Sequence, residues 1–158
     1  MLATAALLAA CSSVPTTPLL QADYVVVDKS DRTLTLMRGN KVLRIYSGIQ
    51  LGDAPEGHKH FEGDEKTPEG KYTLDYRNPA SAYHLSLHIS YPNAADSTYA
   101  EERQRSPGGE IFIHGQPNAM LFGRMPGDWT DGCIALANAE IEEVWAAVPD
   151  GTPIEIRP

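Results

Sequence analysis

Between Tyr24 and Tyr46 apolar and polar side chains alternate, and the pattern is cut twice by short turn-forming stretches. Tyr24-Val25-Val26-Val27 leads through Ser30-Asp31-Arg32 into Leu34-Thr35-Leu36-Met37, and Arg38-Gly39-Asn40 leads into Val42-Leu43-Arg44-Ile45-Tyr46. A period near two with turns this close specifies a three-strand meander and is incompatible with a helical bundle. Twelve prolines and 13 glycines in 158 residues carry the same message, and a chain of that length suits one domain with its own core.

Further strand patterns follow at Lys71-Tyr72-Thr73-Leu74-Asp75-Tyr76, at residues 83–89, at Glu110-Ile111-Phe112-Ile113-His114 and at residues 152–157. Residues 51–70 and 92–109 are polar and turn-rich and read as two long loops, which in a compact domain often carry function. Helical spacing occurs once: Ile141, Val144, Trp145 and Val148 share a face, with Asn138 as N-cap and Pro149-Asp150-Gly151 as the stop. The expected fold is mostly β (α+β), one mixed-sheet or β-sandwich domain with a single packed C-terminal helix. No internal repeat and no second domain is visible.

The net charge of −8 excludes nucleic acid and anionic lipid as electrostatically held partners. The first residues are apolar up to Cys11, too short to span a bilayer but of the right length for a signal-peptide core. Leu8-Ala9-Ala10-Cys11 resembles a bacterial lipobox, in which the cysteine receives lipid. The organisation expected is a signal segment over 1–11, a tether over 12–21 and a domain over 22–158. That layout implies an exported protein held on the periplasmic side of the envelope by a lipid on Cys11. Cys133 is then the one free thiol.

Chemistry concentrates in Thr130-Asp131-Gly132-Cys133-Ile134 and in His114-Gly115. A thiol attacks as its thiolate, and a neighbouring imidazole or converging backbone N–H groups promote ionisation. Gly132 permits a tight turn, so that consecutive amides can face an oxyanion formed beside the sulfur. His114 closes an apolar strand, where a general base is both fixed and reachable. Asp128-Trp129 precedes the turn as a candidate cleft wall, and Arg124 is a candidate for a substrate carboxylate. His58 with His60, and His84 with His88, are spaced so that each pair shares a side of an extended segment, a metal-ligand spacing as well as that of ordinary polar pairs. The expectation is no metal.

His-Gly, a turn-rich stretch and then [Ser/Thr]-x-Gly-Cys-Ile resembles the active-site motif of the L,D-transpeptidase catalytic-domain family, the YkuD-like fold. Lys66-Thr67-Pro68-Glu69-Gly70 is similar to that family's upstream TPxG turn. The likeness covers about residues 22–157, and the Gly-Cys-x-Ala form with Tyr83-His84 and Tyr91-Pro92-Asn93 is nearer to a YafK-like branch.

The resemblance implies that Cys133 attacks a carbonyl of a peptidoglycan stem peptide at the L-to-D centre bond, and that His114 takes the thiol proton. It further implies that Gly115 holds the histidine through its carbonyl and that the N–H groups of Cys133 and Gly132 form the oxyanion hole. Tyr83, His84, Trp129, Thr130, Asp131 and Arg124 are the implied substrate contacts. No cofactor is implied. The partners are stem peptides and an amine acceptor or wall-linked lipoprotein, and the expected state is a monomer. Two positions depart from the family pattern: Asp131 stands where a second histidine is common, and Ala135 where an arginine is common. These departures leave transfer and hydrolysis both open. The alternative outside enzymology is a silent lipoprotein that binds the wall through the same cleft.

Overall fold

A computed structural model describes residues 20–120 and 122–158. The lipobox, Cys11 and most of the expected tether lie outside the described residues. The elements in chain order are β1 (Tyr24–Asp28), β2 (Thr33–Arg38), β3 (Lys41–Ser47), β4 (Gly70–Asn78), β5 (Ser86–Ile89), α1 (Ala94–Glu101), β6 (Phe112–His114), β7 (Ile134–Ala135), α2 (Asn138–Ala147) and β8 (Thr152–Arg157).

The eight strands form one mixed sheet in the order β3-β2-β1-β8-β4-β5-β6-β7. β1 pairs with β8, and β6 with β7, in parallel; the other neighbours are antiparallel. The meander expected from 24–46 is present with Val25 opposite Leu36 and Leu34 opposite Tyr46. Beyond β3 the chain crosses to the far edge of the sheet. Gln50 and Ala135 exchange backbone hydrogen bonds of 3.0 and 2.8 Å, and Thr130 N–H donates to the Leu51 carbonyl at 3.1 Å. Both sheet edges thereby meet around residues 50–52, and the sheet curls over its core.

That core is continuous. Val25, Val27, Leu34, Leu36, Leu74 and Ile154 are buried from the strands, and α2 adds Ile141 and Val144, with Val148 at its C-cap. Burial of each such side chain contributes roughly 1.5–3 kcal/mol before chain entropy is subtracted. Trp145 stays half-buried under the Arg77 guanidinium, 5.4 Å from the ring centroid. No helix among the described residues is long and apolar enough to cross a membrane.

The structure corrects three local expectations. The described residues hold two helices, because α1 lies inside the stretch expected as a loop at 92–109. It is held by a reciprocal cap: Asn93 Oδ1 accepts from Ala95 and Asp96 N–H at 2.8 and 3.0 Å, and Asp96 accepts from Asn93 N–H at 2.9 Å. Asn138 is the first helical residue of α2 and not its cap, since the cap position is Ala137, whose N–H is bound by Glu140 at 2.9 Å. The strand expected from 83 begins at Ser86; Tyr83 and His84 form a turn in which His84 has φ +67°.

The loop over 51–70 is fixed by polar contacts. Lys29 is buried and reaches Glu69 at 2.7 Å and the Gly57 carbonyl at 2.7 Å. His58 Nδ1 accepts the Glu69 N–H at 2.8 Å, so its proton sits on Nε2, which faces Asp96 at 3.0 Å. His60 stacks on Tyr99 with centroids 4.2 Å apart, and His88 pairs with Asp75 at 2.7 Å. Each of these histidines thus ties together neighbouring segments.

Candidate active site

β6 and β7 are very short, yet their parallel pairing sets His114 beside Ala135 and Ile113 beside Ile134. Cys133 immediately precedes β7, and the Phe112 N–H donates to its Sγ at 3.4 Å. Cys133 and His114 therefore open into one cleft of about 580 Å³, whose walls include Tyr83, Ile111, Trp129 and Asp131.

The turn that presents the cysteine is clamped at both of its carbonyls. Thr67 Oγ1, buried, donates to the Gly132 carbonyl at 2.8 Å, and Thr130 Oγ1 donates to the Cys133 carbonyl at 2.8 Å. Gly132 has φ +123°, and a β-carbon there would collide with the Lys66 carbonyl oxygen. Thr67 is the hydroxyl of the TPxG turn, so that motif acts by holding the catalytic-candidate turn from behind. Nothing local to Thr67 in the sequence marks this role.

With their carbonyls fixed, the N–H groups of the turn are aimed as well. Gly132 N–H makes a long contact, 3.3 Å, to Thr130 Oγ1. Cys133 N–H donates to no group among the described residues, which leaves it available to an oxyanion.

His114 is buried, and its Nδ1 lies 2.7 Å from the Gly115 carbonyl. A carbonyl only accepts, so Nδ1 carries the proton and Nε2 keeps the lone pair that a base requires. Gly115 is packed closely: a β-carbon would sit 2.7 Å from Asn138 Oδ1 and 3.0 Å from the Tyr83 carbonyl. Asn138, displaced from the cap role, accepts the Gln116 N–H at 2.8 Å and fixes the chain just past the histidine.

Burial governs the resting protonation of both groups. It pushes the Cys133 thiol from an ordinary 9.0 up to about 11, against the opposing Phe112 N–H and with the charges of Asp131 and Glu110 adding to the rise. Burial also lowers His114 below 6.5, against the raising effect of the Gly115 carbonyl. At neutral pH the pair is thiol and imidazole. Among the described residues the Cys133 sulfur, whose contacts are to Phe112 N–H and the Glu110 carbonyl, makes no hydrogen bond to His114, and burial keeps the thiol protonated at rest.

Alkylation by iodoacetamide follows the thiolate fraction. The rate at Cys133 in folded protein is therefore expected to rise about tenfold per pH unit through pH 9 and beyond, where a free thiol levels off. A plateau already reached near neutral pH would mean a resting ion pair instead.

The remaining expected contacts divide. Tyr83 stacks on His114 with centroids 4.6 Å apart, and Trp129 stands at 5.5 Å, so both wall the cleft. Trp129 Nε1 is buried without an acceptor among the described residues. Asp128, beside it, is held by Arg32 at 2.6 and 2.7 Å and accepts the Leu51 N–H at 2.9 Å, a fixed buttress behind the wall. Thr130 and Asp131 border the cleft.

His84 and Arg124 are not brought to it. The His84 ring turns to Glu142 on α2 at 2.7 Å, because its positive φ points the side chain away from the cleft. Arg124 is engaged by Glu140 at 2.5 Å and by the Gly48 carbonyl, at the N-terminal end of α2. Ala135 is fully buried, so nothing at that position reaches substrate in the way an arginine would.

The family profile described as the L,D-transpeptidase catalytic domain matches residues 22–156. YafK of Escherichia coli (strain K12), named as a candidate L,D-transpeptidase, is 27% identical over 137 residues, covering 79% of this chain and 46% of its own. YqjB of Bacillus subtilis (strain 168), likewise named, is 28% identical over 145 residues, covering 88% of this chain and 73% of its own. Among solved structures, the helical cell shape determining protein Pgp2 of Campylobacter jejuni is 30% identical with a TM-score of 0.66, over 84% of this chain and 46% of that one. The chain spans about half the length of YafK and of Pgp2.

Proposed function

The chain belongs to the L,D-transpeptidase catalytic-domain family, and on that premise we propose that it performs cysteine-dependent acyl transfer on peptidoglycan stem peptides. The observation that carries the reading is the joint opening of Cys133 and His114 into one cleft, with the turn clamped by Thr67 and Thr130.

The steps follow from the protonation states. A stem-peptide carbonyl enters beside Sγ, and His114 Nε2 takes the thiol proton as the S–C bond forms. The Cys133 N–H stabilises the oxyanion, joined by the Gly132 N–H when that group leaves its 3.3 Å contact to Thr130 Oγ1. The intermediate collapses, the C–N bond breaks, and the imidazolium returns its proton to the departing amine. A thioester remains on Cys133. An amine, or water, then loses a proton to His114 and attacks the thioester carbon, and the cysteine leaves as the thiol. The Gly115 carbonyl keeps the histidine in the tautomer that every step uses.

Hydrolysis is the second reading. The observation favouring it is that Asp131 and the buried Ala135 replace the histidine and arginine of the common family pattern, so the usual means of holding an acceptor is absent. Export, a lipid on Cys11, a monomeric state and a wall-linked lipoprotein or amine acceptor as partner belong to the same proposal.

Muropeptide analysis of purified wall after incubation separates the outcomes. New 3–3 crosslinks mean transfer, and shortened or released stems without new crosslinks mean hydrolysis. Unchanged wall, with unchanged soluble stem tetrapeptide, would contradict both readings and leave the silent binder.

A further inference from the structure

The reaction proposed above makes an imidazolium at a buried position that has no carboxylate partner among the described residues. His114 is 3% exposed, and its Nδ1 is bound to a neutral carbonyl. The ionisable groups that face this region from the packed elements are few. The turn at 130–133 contributes the Cys133 thiol and Asp131, the stretch before β6 contributes Glu110, and the turn before β5 contributes Tyr83. His84, from the same turn, is committed to Glu142. Asp131 and Glu110 raise the thiol pKa by charge, and the buried Lys59, paired with Asp64 at 2.9 Å in the loop over 51–70, lowers it; burial and the Gly115 carbonyl are what displace the histidine.

What does face the imidazole is aromatic. The Tyr83 ring lies over it with an interplanar angle of 29° and centroids 4.6 Å apart, and the Trp129 ring meets it at 64° and 5.5 Å. Tyr83 and Trp129 also touch each other, at 5.7 Å, so three rings form a closed set. The position of Tyr83 is built, not incidental. Its carbonyl accepts the Gly115 N–H at 3.0 Å, and Asn118 ties the same turn through His84 N–H at 2.7 Å and the Ser81 carbonyl at 3.0 Å. Tyr83 itself is 40% exposed and lines the cleft.

We propose that Tyr83, supported by Trp129, is a positioning residue whose π face stabilises the His114 imidazolium during turnover, in the place where other acid–base histidines have a carboxylate. An aromatic face attracts a cation within about 6 Å of its centroid, and the attraction is largest where water is excluded. A π face favours the charged form less strongly than a carboxylate would, so the ring stays neutral at rest and still accepts a proton during attack. The inference rests on the reading of His114 as the general base.

The test is the His114 pKa, read by NMR of the ring carbons in folded protein without substrate, with the signal identified by its loss in His114→Gln. Removing Tyr83 has two opposing consequences that the sign of the shift separates. Loss of the π face lowers the pKa, while admission of water raises it. Tyr83→Leu is expected to lower it by about half a unit to one unit, and Tyr83→Phe to leave it close to the parent value. Phenylalanines of increasing fluorination at position 83 keep the shape, drain the ring face, and should lower the pKa in step. A rise in Tyr83→Leu, or a flat response across the fluorinated series, overturns the proposal.

In a turnover assay Tyr83→Leu should reduce kcat with little change in KM and move the acid limb of the pH profile downward. A pKa response without any turnover in the parent would leave the aromatic set standing and refute the acyl-transfer reading. Turnover without a pKa response would do the reverse.

Discussion

Replacing Cys133 with alanine is expected to abolish turnover of stem peptide, a loss of at least about 10⁴-fold, while leaving the fold intact. The magnitude follows from removing the only atom that bonds to substrate in a covalent route, after which binding and the oxyanion site alone provide little. Cys133 makes only weak contacts through its sulfur, from Phe112 N–H at 3.4 Å and to the Glu110 carbonyl at 3.6 Å. Its truncation therefore removes little packing, and the melting temperature should stay within a few degrees of the parent. His114→Gln should cost about 10²–10⁴-fold, since it keeps a polar group near the Gly115 carbonyl but offers no base. The double variant should be no worse than Cys133→Ala, because the two side chains act as a unit. Stem-peptide hydrolysis and transfer assayed by liquid chromatography, beside thermal melts, would check all three.

Gly132→Ala is the second large effect, and it acts through the backbone. The position has φ +123°, where a side chain is strained, and the new methyl would collide with the Lys66 carbonyl oxygen. That atom is backbone, in a segment tied by Asp64 and Thr67, so no flexible side-chain end can give way to the methyl. Strain and collision together should destabilise the fold by on the order of 2–4 kcal/mol. The Thr67 bond to the Gly132 carbonyl would lengthen, and the Cys133 N–H would swing with it. Activity should then fall further than the fraction unfolded at the assay temperature accounts for. Denaturant melts give the first quantity, and turnover measured well below the melting temperature gives the second.

The regular part of the fold was legible because it follows local rules. β1 to β3 announce themselves by alternation and turns, and the last strand was read to its boundaries, residues 152–157. α2 and its C-cap showed their buried face in Ile141, Val144 and Val148. α1 was overlooked since its buried positions are only Asp96 and Ala100, too few to give an apolar period. Its signal was the cap: Asn93 followed three residues later by Asp96 is the sequence form of the reciprocal hydrogen bonds seen there. β7 was invisible for a different reason. A two-residue strand has no period, and it exists only because β6 lies alongside.

The site divides in the same way. Cys133 and His114 were legible from motif order, and the structure brings them to one cleft. Roles that depend on distant backbone were not. That Thr67 clamps Gly132 requires the chain to bring positions 65 residues apart together, and nothing local to either residue encodes it. The stacking of Tyr83 on His114 likewise depends on the Gly115 N–H reaching back to the Tyr83 carbonyl. The resemblance puts the 83–89 stretch near the cleft and His84 among the substrate contacts; in the structure His84 sits in the turn before β5 with a positive φ, and its ring pairs with Glu142.

The central claim is that Cys133 carries the acyl group of a stem peptide as a thioester. Its most direct measurement is intact and peptide-mapped mass spectrometry of the protein quenched in acid during turnover of a stem tetrapeptide. The account predicts an added acyl mass confined to the peptide containing Cys133, lost on treatment with hydroxylamine and missing in His114→Gln at the same time point. Substrate consumed with no adduct on Cys133, or consumed equally well by Cys133→Ala, would contradict it.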